Sequence, residues 1–191
     1  MTILIAGLVL FLGPHSVRIF ADGWRTAMLA SLGETKWKGL YSLLSLVGFG
    51  LIIYGFGLAR QTPEVLWTPP QFLRHLSGLL VLVSFVLLIA TYVPRNGIKA
   101  KLHHPMILGV KVWALAHLLA NGMLHDVVLF GAFLAWAVMD FRAARQRDRA
   151  AGTTYPAGNA GATIATVFAG IIAWAVFAFW LHGMLIGVRP F

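Results

Sequence analysis

Residues 102–122 read LHHPMILGVKVWALAHLLANG. The run is apolar enough to enter a bilayer, yet it carries His103, His104, Lys111 and His117. Ionisable groups inside a membrane helix are costly and by default mark function. Pro105 is a helix-start signal. On a helix His104 and His117 stand about 20 Å apart along the axis and roughly 140° apart around it, so they cannot bind one ion from one side. Lys111 lies a heptad from His104 and shares its face. Trp113 and Asn121 sit one turn to either side of His117. This one segment therefore has two polar faces.

The rest of the chain has the same character. Of its 191 residues 59% are hydrophobic and 11% charged, with a mean hydropathy of +0.81, whereas soluble domains carry about 25% charged residues. An all-α, polytopic membrane protein is expected, with residues 1–191 as a single integral membrane domain. The formal charge is +9, but the basic residues cluster at the ends of apolar segments. That is a topology signal rather than a nucleic-acid face. There are no cysteines, which excludes disulfides, iron–sulfur ligation and thiolate chemistry. Seven histidines remain as the main metal-ligand type besides methionine. No P-loop, dinucleotide fingerprint, H-E-x-x-H or G-x-S-x-G pattern is present. The six acidic residues are too scattered for a carboxylate relay.

A span needs about 20 mostly apolar residues, and six such segments are expected. The first, 2–21, has no basic residue before its apolar run and reads as a retained helix rather than a cleaved leader. Pro14 should kink or break it. An amphipathic linker over 22–38 suits the membrane interface. The second span, 39–59, carries Gly48, Gly50, Gly55 and Gly57, which permit close helix contact. The third runs over 72–93, the fourth is the opening stretch, and the fifth is a short segment, 124–141. A basic loop, 142–159, precedes the sixth span, 160–188. Loops after spans one, three and five hold ten Lys and Arg, and the other side holds Arg60, Arg74 and Arg189. The positive-inside rule then makes the first group cytoplasmic and turns both termini outward.

Several polar residues need an account. His15, Arg18 and Asp22 share a helical face. Either His15 makes an interhelical hydrogen bond near a buried Arg18–Asp22 pair, or it ligates a metal or haem with Arg18 near an anionic group. His117 is either hydrogen-bonded to a neighbouring helix or a ligand, with Asn121 as its second contact. His103 and His104 read as an interfacial pair. Lys111 either snorkels toward the cytoplasm or meets an anionic group. His75, His125 and His182 read as interfacial histidines on the outward side.

These motifs carry a family resemblance. Gly13-Pro14-His15-Ser16, His104-Pro105-Met106, the run Trp113 to Gly122 (WALAHLLANG) and Leu129-Phe130-Gly131 together resemble the NnrU family. The resemblance implies a bacterial inner-membrane protein linked to denitrification, at nitrite and nitric oxide reduction. The family is similar to the haem-containing 15-cis-zeta-carotene isomerase. That likeness implies non-covalent haem b held by two histidines, matching His117 and His15. Arg18, His104 and Lys111 are then candidates for propionate or supporting contacts, with Trp113 and Asn121 beside the ligand. Two positions depart from the isomerase. Ala114 stands where it has cysteine, and His103 where it has arginine.

The expected function is a small bis-histidine haem b protein serving denitrification as an accessory or redox protein. The alternative is a haem-dependent cis–trans isomerase of a carotenoid polyene. Lipid is the expected surrounding, with nitric oxide or a polyene as small-molecule partner and no nucleic acid. A metal-ion transporter is disfavoured by the scarcity of intramembrane carboxylates.

Overall fold

A computed structural model of the chain describes residues 1–190, and they form an all-α protein. The helices are α1 (Thr2–Phe20), α2 (Asp22–Leu32), α3 (Glu34–Ala59), α4 (Gln71–Tyr92) and α5 (Gly97–Leu102). They continue with α6 (Pro105–Ala120), α7 (Leu124–Ala151), α8 (Ala160–Val176) and α9 (His182–Ile186). A π-helical turn, Phe177–Leu181, joins α8 to α9 without a break. Among the described residues five stretches are long and apolar enough to cross a membrane: α1, α3, α4, α7 and Ala160–Ile186.

The long helices pack side by side in the order α3, α1, α7, α6, α4, α8. Sequence neighbours α3 and α4 are therefore far apart in the row. Apolar side chains such as Leu43, Leu46, Ile164 and Phe168 are left exposed on α3 and α8 at its two ends. Such surface suits lipid.

Three departures from the expected spans have physical causes. Helix α1 runs unbroken through Pro14. The fourth span shrinks to α6, 16 residues or about 24 Å, because His103 takes up a left-handed φ of 68° and sets α5 off as a separate turn. The fifth span lengthens to the 28 residues of α7, absorbing Arg142 to Ala151, which had been expected to be loop. Alanine, arginine and glutamine are strong helix formers, and charge alone does not end a helix. Gly152, at φ 60°, does so as a left-handed cap.

Close contact is concentrated at two seams. Helices α1 and α3 run antiparallel with backbones touching. A Cβ built on Gly48 would fall 2.6 Å from the Phe11 amide nitrogen, and one on Gly7 2.6 Å from that of Ile52. Gly55 meets Leu4 in the same way, whereas Gly50 and Gly57 face open space. Helices α4 and α6 are joined by hydrogen bonds. Ser77 Oγ donates to the Ala116 carbonyl at 2.7 Å, and Ser84 Oγ to that of Gly109 at 2.8 Å. Both donors are buried, and donors and acceptors are each a heptad apart. Interhelical bonds of this kind contribute about 0.6 kcal/mol on average and up to about 1.7. The double change Ser77→Ala with Ser84→Ala is therefore expected to lower the unfolding midpoint in detergent by a few degrees. An unchanged midpoint would show that these bonds carry no net stability.

Candidate functional site

The row of helices has a basic end and an opposite end, and each holds a cavity. The basic-end cavity lies among α1, the start of α3, the start of α6 and the second half of α7. Its volume is about 1070 Å³, at the top of the ~300–1,000 Å³ range usual for small-molecule sites. His15, His104, Arg18, Tyr41, Trp136 and Arg147 are among the residues that line it.

His15 Nδ1 lies 2.6 Å from the Phe11 carbonyl oxygen. A carbonyl can only accept, so Nδ1 carries a proton and Nε2 is the ring nitrogen left to meet a ligand. The ring stacks on Phe11 at 4.4 Å and meets Trp136 edge-on at 6.1 Å. Trp136 Nε1 is buried and lacks a hydrogen-bond partner among the described residues. A buried donor left unpaired costs about 1–3 kcal/mol. Arg18 is 3.8 Å from Asp22 and Arg147 is 3.8 Å from Asp140, beyond hydrogen-bond range; Arg147 Nη1 donates to the Arg18 carbonyl at 3.2 Å, so neither guanidinium is hydrogen-bonded to a carboxylate. The expected burial of the Arg18–Asp22 pair is corrected. Both side chains are about half exposed, because α1 ends at Phe20 and the pair bridges the turn into α2.

His104 Nε2 lies 2.7 Å from Asp148 Oδ2, which also accepts from the Tyr155 hydroxyl at 2.8 Å. Burial, with the Asp148 carboxylate beside it, pushes the Tyr155 phenol up to about 12, so it remains a donor at any physiological pH. The His103 ring stacks on Tyr155 at 4.1 Å, and Arg145 Nη1 is 2.5 Å from His103 Nδ1. These contacts pin the stretch after α7 over the start of α6. His103 and His104 thus each have protein partners. Lys111 lines neither cavity and lies over the Phe141 ring at 5.2 Å, reaching toward the basic end.

His117 is in the other cavity, about 410 Å³, among α4, α6 and α8–α9. Its Nδ1 is 2.8 Å from the Trp113 carbonyl oxygen and its ring stacks on Phe130 at 4.5 Å. Asn121 donates to the His117 backbone carbonyl at 2.9 Å, not to the imidazole. The two imidazoles expected to share an iron thus line different cavities. Phe11, Phe133 and Trp113, in ring contact at 5.8 and 5.6 Å, stand between them. His15 and His104 are brought into one cavity; His15 and His117 are not.

Sequence reasoning missed Trp136, Arg147 and Asp148, which the length of α7 carries into the site, and also Arg74 and Arg189, which line the cavity of His117 together with His182. The i, i+7 and i, i+8 spacing of Asp140 with Arg147 and Asp148 was the available signal, hidden by the reading of 142–159 as loop. His125 is buried, edge-on to Phe56 at 5.1 Å. Among the described residues no group of three or more His, Asp or Glu is placed to hold a bare metal ion.

The family model described as NnrU protein matches residues 3–190. No curated protein and no solved structure matches the chain.

Proposed function

The chain belongs to the NnrU family, and from that premise we propose that it is a haem b protein of a bacterial inner membrane, with the porphyrin in the basic-end cavity and His15 as iron ligand. The observation that carries this reading is the content of that cavity. An imidazole with an unused Nε2, two guanidinium groups not hydrogen-bonded to a carboxylate and an unpaired buried indole N–H share one wall system. The residues fit the group. Imidazole is a good haem ligand, arginine suits carboxylates, and the volume is ample. Arg18 and Arg147 would hold the propionates, and Trp136 would give its N–H to an acceptor. His104, oriented by Asp148 as metal-site histidines commonly are by a carboxylate, stands in the same cavity as the second imidazole.

When bound, the haem supplies a one-electron couple, and the family's link to nitrite and nitric oxide reduction makes an accessory redox role the functional assignment. His15 and His117 line different cavities, with the ring contacts of Phe11, Phe133 and Trp113 between them, so His104 replaces His117 in the proposal. The basic end is the cytoplasmic side by its charge.

The test is the absorption spectrum of protein purified from haem-supplemented cells. A Soret band that shifts on reduction is expected, and protein without haem would overturn the proposal. Trp136→Phe gives a second, two-directional check. It removes the unpaired donor, so the haem-free protein should gain about 1–3 kcal/mol while its haem affinity falls. An unchanged affinity would remove Trp136 from the site.

A further inference from the structure

The cavity at the opposite end has its own chemistry, independent of the haem reading. Its floor is apolar: Val81 and Phe85 from α4, Val110 from α6, and Trp174 and Phe177 from α8 and the π-helical turn. Its mouth is cationic and polar: Arg74, His117, Asn121, His182 and Arg189. Among the described residues no Asp or Glu lines it, and none forms an ion pair with either arginine.

Two local features build this shape. The π-helical turn Phe177–Leu181 interrupts the regular ladder of α8; such turns are rare and concentrate at functional sites. The C-terminal segment folds back at Gly187, φ 77°. It is pinned there because the Val188 carbonyl oxygen lies 2.6 Å from His182 Nδ1 and Arg60 Nη1 donates to the Ile186 carbonyl at 2.7 Å. That fold-back carries Arg189 to the cavity that Arg74 also lines.

We propose that this cavity binds a single-chain amphiphile with a carboxylate head, a long-chain fatty acid, its carboxylate between Arg74 and Arg189 and its chain on the apolar floor. Arginine presents paired N–H donors matched to a carboxylate. The apolar floor gains from each buried methylene, about 0.8 kcal/mol apiece. A volume of about 410 Å³ is near the low end of the ~300–1,000 Å³ range of small-molecule sites, which suits one chain and not the two of a phospholipid.

The protein itself provides the detector, since Trp113 and Trp174 are in the wall. With the protein in phosphatidylcholine nanodiscs, cis-parinaric acid is titrated and energy transfer from tryptophan is read. Saturable transfer is expected, displaced by oleate and not by phosphatidylglycerol. The uncharged methyl ester of the probe should bind about tenfold or more weakly, the loss of a charge-assisted contact. The double change Arg74→Gln with Arg189→Gln should weaken the acid to the same degree, and Arg74→Lys with Arg189→Lys, which keeps the charge but not the paired donors, should fall between that variant and the unaltered protein. Both arginines are exposed, so these changes leave the packed seams intact. Equal binding of acid and ester by the unaltered protein would overturn the proposal. So would wild-type affinity in the double glutamine variant, or displacement by phosphatidylglycerol and not by oleate.

Discussion

His15→Ala is expected to abolish the haem Soret band, while His117→Ala leaves it at the level of the unaltered protein. The first half follows from the ligand chemistry. His15 has one ring nitrogen committed to the Phe11 carbonyl, which orients the imidazole and leaves the other nitrogen as ligand. Loss of a mere supporting partner at a metal site costs about 10–100-fold in affinity, and loss of the ligand itself costs at least that. The second half follows from position, since His117 lines the other cavity, beyond the rings of Phe11, Phe133 and Trp113. His104→Ala should fall between, with a weakened and shifted band. Added imidazole should restore part of the band in His15→Ala, because the remaining cavity can hold it. A full band in His15→Ala, or its loss in His117→Ala alone, would move the haem to the opposite end.

Gly48→Ala should destabilise the protein more than any other single-methyl change on α3 except Gly55→Ala. The added carbon meets the backbone of Phe11 at 2.6 Å, and backbone cannot rotate away as a side chain does. Overpacking costs about 1–3 kcal/mol, and here the relief is separation of α1 from α3. Phe11 is also the residue whose carbonyl holds His15, so haem retention should fall with stability. Gly50→Ala and Gly57→Ala face open space and replace glycine by the best helix former, a gain of up to about 1 kcal/mol. Unfolding midpoints in one detergent separate the two pairs. If all four variants shift in the same direction, the backbone seam is not what holds α1 to α3.

The glycines illustrate how far the sequence could be read. A helical reading marks Gly48, Gly50, Gly55 and Gly57 as contact residues, and a seven-residue interval links Gly48 to Gly55 as readily as Gly50 to Gly57. Only the rotation of α3 about its axis, set by Leu4, Leu8 and Ile52 packing together, decides which pair is buried. The same holds for the histidines. His104 and His117 separate on helix geometry alone, because they belong to one helix. Whether His15 meets either depends on the order of helices in the row, and no local pattern encodes that order. The extension of α7 had a local signal in its alanines and arginines, outweighed by their charge.

By itself the sequence determined that the chain is an all-α membrane protein of the NnrU family, with most of its basic residues at one end of the spans and an imidazole-rich, thiol-free ligand set. Those properties depend on composition, on period and on motifs local to one helix. The tertiary structure alone decided that His15 and His104 share a cavity while His117 lines another with Arg74 and Arg189. The reason is physical. Lipid is as apolar as leucine, so apolar surface does not choose helix neighbours. The neighbours are chosen by backbone approach at Gly7, Gly48 and Gly55 and by the Ser77 and Ser84 hydrogen bonds, contacts that exist only once the helices are side by side.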